Sequence, residues 1–351
     1  MRATIIHGPG DIRVEERDYP VLQLPGDAIV KVTAACVCGS DLWPYRGVKP
    51  TRKPSAIGHE FVGVVESLGE AVTDLAVGDF VIAPFVDSCG ECPQCLNGVT
   101  VACDHLAGWG GKDEHGFRLD GGQGEAVRVP NASATLVAVP VDGAPDAALT
   151  ASLLSLSDVM ATGHHAAVSA HVGPGHSVVV VGDGAVGLCG VLAAKRLGAT
   201  RIIAMSRHED RAALAREFGA TDVVAERGEE GVARVRELLG GVLADSVLEC
   251  VGTKESMEQA LHSTRPGGAL GFVGVPTGGS EIPLRYLFDT NISVAGGMAS
   301  ARTYIPELLA DVLAGAINPG RVFDVEMPLE QAPEAYRAMD ERRAIKVLLR
   351  P

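Results

Sequence analysis

The sequence has no long hydrophobic run and no excess of basic residues. No apolar stretch in its 351 residues reaches the roughly eighteen residues that a membrane-spanning helix needs. The first residues, MRATIIHGPGDIRVEE, lack the apolar core of a signal peptide, which favours a cytoplasmic protein. Thirty basic residues against forty-four acidic ones give a net charge of −14, which disfavours a polyanionic partner such as nucleic acid. We therefore expect a soluble, cytoplasmic protein that binds neither membranes nor nucleic acids.

The length and the composition predict two globular domains. A chain in which 46% of the residues are hydrophobic and 21% are charged can build two cores of ordinary size at this length. The sequence shows no internal repeat and no low-complexity segment.

The first part of the chain, residues 1–157, is typical of a compact β-rich barrel. Short apolar runs alternate there with turns, and the runs are Ile29–Val32, Phe61–Val65, Val77–Ile82 and Ala126–Val129. Residues 87–120 lack this pattern and predict a loop.

The second part, residues 158–301, predicts a doubly wound parallel sheet. We expect a helix from Ala147 to about Val172, and then four strand–helix alternations at 177–197, 201–218, 222–239 and 245–263. Further strands are expected near 269–275 and 292–298. The tail, 302–351, predicts helices near 303–315 and 330–340 and a strand at 345–349, and we expect it to return to the first domain.

The stretch from Gly175 to Arg211 predicts a dinucleotide site. A strand, Ser177–Val181, is followed by a G-x-G-x-x-G turn, a helix and a second strand, Arg201–Met205. The turn comprises Gly182, Asp183, Gly184, Ala185, Val186 and Gly187. Its glycines permit a tight turn and a close approach of backbone to a pyrophosphate, which the N-terminus of the helix then binds.

The end of that second strand indicates which dinucleotide is bound. An NAD site has a carboxylate there for the ribose 2′-hydroxyl, whereas this chain has Ser206 and Arg207. A hydroxyl and a guanidinium suit the 2′-phosphate of NADP(H). In the alternative, Arg207 pairs with Glu209 or Asp210 on the surface while one of these carboxylates binds an NAD ribose. We favour NADP(H) over NAD(H).

The eight cysteines of a cytoplasmic chain are better explained as thiols or metal ligands than as disulfides. One loop contains Cys89, Cys92, Cys95 and Cys103, at spacings that can enclose a tetrahedral zinc ion. Four thiolates leave no open coordination position, so this zinc is predicted to be structural. Four free thiols and an iron–sulfur cluster are the alternatives, although nothing else in the chain suggests an electron-transfer path.

A second, scattered set indicates a catalytic metal. Cys38 lies in Cys-Gly-Ser-Asp and His59 in Gly-His-Glu, and Asp41 could orient His59 through its second ring nitrogen. Asp158 opens the approach to the nucleotide-binding domain. A thiolate, an imidazole and a carboxylate would hold zinc with at least one position open, as in catalytic sites. For a cysteine and a histidine taken alone, a buried structural pair is the commoner outcome.

Together these motifs resemble the zinc-dependent alcohol dehydrogenases of the medium-chain dehydrogenase/reductase superfamily, from end to end of the chain. The resemblance implies a GroES-like catalytic domain, residues 1–157 and 302–351, and a Rossmann domain, residues 158–301. The chain is most similar to bacterial NADP-dependent secondary-alcohol dehydrogenases, and this implies a catalytic zinc held by Cys38, His59, Glu60 and Asp158. It also implies a structural zinc, so that each chain binds two zinc ions.

The resemblance assigns further residues to the cofactor and the substrate. Thr162 matches a residue near the nicotinamide, and Lys346 matches one near the cofactor phosphates. Phe85 and Trp109 match positions that wall an apolar substrate pocket in relatives.

The implied reaction interconverts a small or medium apolar alcohol, expected to be secondary, and its ketone or aldehyde by hydride transfer. Ser40 takes the alcohol proton. Trp43 stands where much of the family has a histidine that carries this proton outward, so either Ser40 delivers it to water through the cofactor ribose or another histidine substitutes. Close relatives with aspartate at the zinc lack the four-cysteine lobe, so the chain combines features of two subgroups.

Two alternative functions stay open at this point. One is a polyol or amino-alcohol dehydrogenase, similar to sorbitol or threonine dehydrogenase. The other is a non-catalytic NADPH-binding protein. Relatives are dimers or tetramers, so we expect a homodimer or homotetramer.

Overall fold

A computed structural model describes residues 1–48, 53–141, 143–276 and 281–351. The chain divides into two compact units, the first formed by Met1–Asp158 with Ser300–Pro351 and the second by Val159–Ala299. We expected the second domain to span residues 158–301. The second unit begins one residue later and ends two residues earlier. Within these ranges no helix combines the length and the apolar character needed to cross a membrane.

The strands and helices follow one another as a β-rich segment, an alternating segment and a mixed tail. The strands are β1 (Arg2–Gly8), β2 (Asp11–Glu16), β3 (Ala28–Cys36), β4 (Ser55–Ala56), β5 (Phe61–Leu68), β6 (Phe80–Ala83), β7 (Ala126–Val129), β8 (Val137–Ala138), β9 (Ser177–Val181), β10 (Arg201–Met205), β11 (Asp222–Val224), β12 (Ala244–Glu249), β13 (Thr264–Phe272), β14 (Ser293–Gly296), β15 (Val325–Pro328) and β16 (Val347–Arg350). The helices are α1 (Leu42–Tyr45), α2 (Pro93–Leu96), α3 (Ala132–Thr135), α4 (Ala147–Leu156), α5 (Val159–Ser169), α6 (Ala185–Arg196), α7 (Glu209–Phe218), α8 (Gly228–Leu238), α9 (Lys254–Ser263), α10 (Leu284–Thr290), α11 (Ala301–Leu313) and α12 (Ala332–Asp340), with short 3-10 turns at Thr100–Ala102, Pro319–Val322 and Leu329–Gln331.

The first unit is built on a sheet in which β3 is central. The sheet has the order β15-β16-β3-β5-β6-β8, and β7 also pairs with β3. All but two residues of β3 are buried, because neighbouring strands and core side chains cover it on both faces. The tail returns to this sheet as expected, since β16 pairs antiparallel with β3 at Leu348 and Cys36.

The second unit is a parallel sheet flanked by helices, with the strand order β11-β10-β9-β12-β13-β14. This is the order of doubly wound dinucleotide-binding folds, and it confirms the predicted α/β class. The turn after β9 depends on two glycines. Gly182 has a φ of 119°, and a Cβ on Gly187 would lie 2.0 Å from the Gly182 carbonyl oxygen.

The prediction of one long helix from residue 147 to about 172 is wrong in one respect. The structure has two helices there, α4 and α5. The break falls at Ser157 and Asp158. The Ser157 carbonyl accepts a hydrogen bond from the Phe85 N–H at 3.0 Å, and its hydroxyl donates to the Phe61 carbonyl at 3.3 Å. These tertiary bonds outweigh the local helical preference of the sequence.

The predicted strand Val77–Ile82 is also shorter than expected, because β6 begins at Phe80. A tight turn occupies the residues before it. The Asp79 N–H donates to the Ala76 carbonyl, and Gly78 has a φ of 101°.

Candidate functional site

Four side chains of the first unit converge on one point. They belong to Cys38, His59, Glu60 and Asp158, and their ligand atoms all lie within 4.8 Å of one another. The Oδ2 atom of Asp158 lies 3.6 Å from Sγ of Cys38 and 3.6 Å from Nε2 of His59. Ligands of a tetrahedral zinc ion are about 3.3–3.8 Å apart, so these separations fit one ion.

Strand pairing brings these residues together. Antiparallel pairing of β3 with β5 matches Ala35 with Phe61, so the residues just after β3 and just before β5 meet at the same end of the sheet. Cys38 lies after β3, and His59 with Glu60 lies before β5. The hydrogen bonds of Ser157 to Phe61 in β5 and to Phe85 just after β6 hold the neighbouring Asp158 at the same end.

Asp41 lies behind the ligand set, where it can orient His59. Its Oδ1 atom is 3.4 Å from Nδ1 of His59. Its Oδ2 atom accepts from the Cys38 N–H at 3.0 Å and from Nε2 of Gln123 at 3.1 Å. The Tyr336 hydroxyl donates to Oε1 of Gln123 at 3.0 Å. Gln123 and Tyr336 were not found from the sequence, since no local motif contains them.

Glu60 and Lys346 form a fully buried ion pair beside the site. Nζ of Lys346 lies 2.7 Å from Oε1 of Glu60 and also donates to the Val37 carbonyl at 3.3 Å. The Lys346 side chain is only 1% exposed. The position of Lys346 differs from the one expected, near the cofactor phosphates. An ammonium group that is buried against a carboxylate is not accessible to a ligand.

The donor set fits zinc. Burial raises the pKa of the Cys38 thiol and of the Glu60 carboxyl, since a buried anion loses its solvation. Oε2 of Glu60 is also buried without a hydrogen-bond partner in the described part of the chain. A cation at the centre of the four residues would offset both costs, and sulfur, imidazole and carboxylate donors together are typical of zinc.

The surroundings of this set are partly apolar and partly open to water. The Phe85 ring meets the His59 ring edge-on, with centroids 6.4 Å apart. Trp109 instead packs edge-on against Phe61 at 5.1 Å, and its indole N–H donates to the Pro84 carbonyl. Ser40 is exposed to solvent.

The four cysteines of the lobe also converge. All the Sγ atoms of Cys89, Cys92, Cys95 and Cys103 lie within 4.8 Å of one another. Sγ of Cys89 is 4.0 Å from that of Cys95, and Sγ of Cys92 is 4.0 Å from that of Cys103. Sulfur atoms around a tetrahedral zinc ion are about 3.8 Å apart. The geometry therefore fits a closed, four-thiolate site.

Backbone N–H groups surround the lobe sulfurs. The N–H of Cys92 donates to Sγ of Cys89 at 3.3 Å, and the N–H groups of Cys89 and His105 donate to Sγ of Cys103 at 3.3 and 3.4 Å. Hydrogen bonds from the backbone of Asp104 lower the pKa of the Cys92 thiol to about 6. These donors favour the thiolate, which is the form that binds a metal.

In the second unit the glycine turn lies at the carboxyl end of β9. Register pairs Val181 with Met205 and with Glu249, so the carboxyl ends of three parallel strands meet there. Gly184 caps α6, and Ala185, Val186 and Gly187 form its first turn. Their N–H groups precede the intrahelical hydrogen bonds and can bind phosphate oxygens. Thr162, in α5, is buried.

The residues after β10 do not form the surface ion pairs that the alternative NAD(H) interpretation requires. Within the described ranges, no ion pair joins Arg207 to Glu209 or Asp210, and Arg207 is exposed. The buried Ser206 hydroxyl donates to Oδ2 of Asp183 at 2.8 Å. The sequence pattern did not indicate this contact, because Asp183 occupies a variable position of the glycine turn.

Comparisons with known proteins agree with both units. Residues 24–141 match the family profile described as the alcohol dehydrogenase GroES-like domain, and residues 185–314 match the zinc-binding dehydrogenase profile. The zinc-type alcohol dehydrogenase B of Aspergillus flavus is 34% identical over 359 aligned positions, which cover 100% of this chain and 81% of the relative.

Two solved structures have the same fold. The alcohol dehydrogenase TADH from Thermus sp. ATN1 is 35% identical with a TM-score of 0.91, covering 100% of this chain and 99% of that one. A structure described as a zinc-binding dehydrogenase from Sinorhizobium meliloti, bound to NADP, is 29% identical with a TM-score of 0.83, and the coverage is 100% and 99%.

The predicted resemblance is therefore confirmed, and with it the combination of a GroES-like domain and a Rossmann domain. The chain belongs to the zinc-dependent alcohol dehydrogenases of the medium-chain dehydrogenase/reductase superfamily.

Proposed function

We propose that this alcohol dehydrogenase interconverts a small or medium apolar alcohol, preferably secondary, and its carbonyl compound with NADP(H). The convergence of Cys38, His59, Glu60 and Asp158 within 4.8 Å carries the proposal, because that donor set can hold a catalytic zinc.

Zinc held there would act as a Lewis acid on the alcohol or carbonyl oxygen. NADP(H) would accept or donate the hydride. The protein's part is to orient the ligands and to handle the proton. Asp41, 3.4 Å from Nδ1 of His59, keeps Nε2 of that ring directed at the other ligands.

Ser40 is the proposed proton acceptor. In the oxidation of an alcohol, the bound cofactor would accept the hydride from the carbon, and Ser40 would accept the proton from the oxygen. Because Ser40 is exposed, its hydroxyl can pass that proton to water directly. This route explains why Trp43 can replace the histidine that relatives carry.

An apolar substrate is supported by the aromatic ring next to the ligand set. Phe85, half-buried and edge-on to His59, offers a hydrophobic surface rather than hydrogen-bonding groups. A polyol would bury several hydroxyls, which need polar partners.

The cysteine lobe is proposed to hold a second, structural zinc. Its four thiols leave no coordination position for a substrate, and the sulfur separations of 4.0 Å match such a site.

A preference for NADP(H) is supported by the Ser206-Arg207 pair at the end of β10 and by the NADP-bound relative. Thr162 and the turn Gly182–Gly187 are proposed to bind the remainder of the cofactor. A cytoplasmic location and a homo-oligomeric assembly remain proposals from the sequence.

The deciding experiment assays turnover of primary, secondary, aromatic and polyol substrates with both nicotinamide cofactors, together with zinc content. We expect secondary apolar alcohols with NADP⁺ to give the highest kcat/KM, and two zinc ions per chain. Turnover only with polyols would favour a polyol dehydrogenase, and NADPH binding without turnover would favour a non-catalytic protein.

Asp158→Asn is the matching variant, with Asp18→Asn as an exposed control. The first should keep one zinc ion and NADPH binding while losing turnover by more than about a hundredfold, which exceeds the usual cost of changing an outer-sphere partner. Unchanged turnover in Asp158→Asn would refute the assignment of the catalytic zinc.

A further inference from the structure

We propose that Arg227 is a second guanidinium that binds the 2′-phosphate of NADP(H), beside Arg207. The proposal rests on the NADP preference proposed above. It adds a residue that determines cofactor specificity and that follows β11 rather than β10.

The parallel register brings Arg227 to the end of β10. β10 pairs with β11 through Met205 and Val224, so the residues that follow these two strands lie side by side. Arg227 follows β11, and its Nη2 atom donates to the Met205 carbonyl at 3.4 Å. The guanidinium is thus held next to Ser206 and Arg207.

The hydrogen bonds of Arg227 reach only neutral carbonyl oxygens. Its Nη1 atom donates to the Ala225 and Glu226 carbonyls at 3.4 and 3.3 Å, which are long, neutral contacts. In the described part of the chain, no ion pair joins Arg227 or Arg207 to a carboxylate. Two cations are therefore held at adjacent strand ends without an anion of their own.

The two guanidiniums also affect one another. Burial lowers the pKa of Arg227 and the positive charge of Arg207 lowers it further, whereas the negative charge of Asp183 offsets only part of this. Like charges at a partly buried site repel, and a bound anion removes this cost.

Asp183 is the competing anion, but other groups already bind it. Its Oδ2 atom accepts from the Ser206 hydroxyl at 2.8 Å, its Oδ1 atom lies 3.6 Å from Nη1 of Arg211, and its carbonyl accepts from the same nitrogen at 3.3 Å. Because Asp183 pairs with Arg211, the guanidiniums of Arg207 and Arg227 provide two positive charges that make no ion pair in the described part of the chain. A phosphomonoester carries about −1.5 to −2 at neutral pH, which matches those charges.

The test measures the dissociation constants of NADPH, NADH, adenosine 2′,5′-bisphosphate and AMP for the zinc-loaded enzyme. The variants are Arg227→Gln, Arg227→Lys, Arg207→Gln and, as a control, Arg216→Gln, which changes an exposed arginine in the last turn of α7. The bisphosphate and AMP differ only in the 2′-phosphate, so the ratio of their dissociation constants isolates its contribution.

We expect Arg227→Gln to raise the dissociation constants of NADPH and the bisphosphate by about tenfold to a hundredfold and to leave those of NADH and AMP within about twofold. Arg227→Lys should retain part of the selectivity, because the charge remains but the two-pronged geometry is lost. Arg216→Gln should change nothing.

Two other results are distinguishable. If Arg207→Gln loses the selectivity while Arg227→Gln keeps it, or if Arg227→Gln weakens all four ligands equally, the role of Arg227 is overturned and the NADP preference stands. If the unmodified enzyme binds the bisphosphate no more tightly than AMP, the NADP preference fails and the proposal for Arg227 fails with it.

Discussion

A series of side-chain contacts from distant parts of the chain positions His59. Tyr336 donates to Gln123, Gln123 donates to Asp41, and Asp41 faces His59. Such outer contacts set the direction and the basicity of an imidazole ligand. The ring therefore depends on residues that do not themselves touch the metal position.

We predict that Asp41→Asn weakens binding of the catalytic zinc by about tenfold to a hundredfold. Competition with a chelator, which releases the two zinc ions in separate phases, measures this. Only the phase in which turnover is lost should shift, because the contacts of Asp41 in the described part of the chain are to Cys38, His59 and Gln123 rather than to the cysteine lobe. Asp79→Asn, which removes a turn-forming carboxylate elsewhere in the first unit, is the control. Equal release curves for Asp41→Asn and the unmodified enzyme would contradict the prediction.

At the scale of elements, a buried arginine joins β7 to two loops of the first unit. Arg128 is 2% exposed and pairs with Asp27, before β3, and with Asp113, in the segment that follows the cysteine lobe. Burial alone would raise the pKa of Asp113, but the hydrogen bond and the charge of Arg128 lower it overall. Removing the guanidinium would leave two buried carboxylates without a counter-ion.

We predict that Arg128→Ala lowers the free energy of unfolding by about 3–5 kcal/mol, as expected when one partner of a buried ion pair is removed. Arg118→Ala is the matched control, because its pair with Asp120 is 44% exposed on the arginine side and should contribute less than about 1 kcal/mol. Urea denaturation of both variants measures the difference. Similar midpoints for the two would show that the buried pair does not hold the loops.

A second cluster links three strands of the parallel sheet. Asp245 on β12 accepts from the hydroxyl and the N–H of Ser177 on β9, at 2.7 and 2.8 Å, and from Nε of Arg265 on β13, at 2.7 Å. Burial opposes ionisation of Asp245, but these hydrogen bonds outweigh it and lower its pKa to about 2.

The pH dependence follows from that value. The folded-state pKa lies below the unfolded value of about 3.9, so the ionised carboxylate stabilises the fold above about pH 4, and this contribution is lost as the pH falls towards 2. We predict that Asp245→Asn is less stable than the unmodified protein at pH 7 and that the difference shrinks between pH 4 and pH 2. Denaturant titrations at several pH values measure it. A constant difference across this window would exclude the ionised form as the cause.

At the scale of the whole molecule, the second unit has an exposed sheet edge. Within the described residues, β14 pairs with β13 alone, and most of its residues are exposed. Large apolar side chains nearby are exposed too: Leu284 at 76%, Phe288 at 78% and Met298 at 59%. An edge of this kind is usually covered, and a two-fold axis would pair it with the same strand of a second copy.

We predict that the enzyme is at least a dimer through this edge and that Phe288→Asp raises the dissociation constant of the dimer by more than about tenfold, because a buried carboxylate would lack a partner. Light scattering after size-exclusion chromatography measures the mass. Val77→Asp changes an exposed apolar residue of the first unit and should have no effect. An unmodified protein that elutes as a monomer would refute the prediction.

Local sequence patterns were sufficient for the fold class and the glycine turn, and they indicated the two groups of candidate metal ligands that the structure brings together. The strand Ser177–Val181 and the helix after it satisfy short-range rules of periodicity and turn chemistry, so they were recognisable without tertiary information. The cysteine lobe was equally visible, because its four ligands lie close together in the chain.

What failed were features that depend on distant contacts. The helix expected across residues 147–172 breaks at Ser157 because hydrogen bonds to Phe61 and Phe85 compete with the helix. Lys346 lies against Glu60 because β16 pairs with β3, a pairing across the whole length of the chain.

The sequence by itself determined which residues could bind zinc and a dinucleotide, because such sites are recognised by short sequence motifs. Only the tertiary structure decided which atoms face one another: Asp41 behind His59, Asp183 on Ser206, and Arg227 at the end of β10. The physical reason is that strand register fixes side-chain neighbours across the sheet, and register is set by the packing of the whole unit rather than by any local stretch.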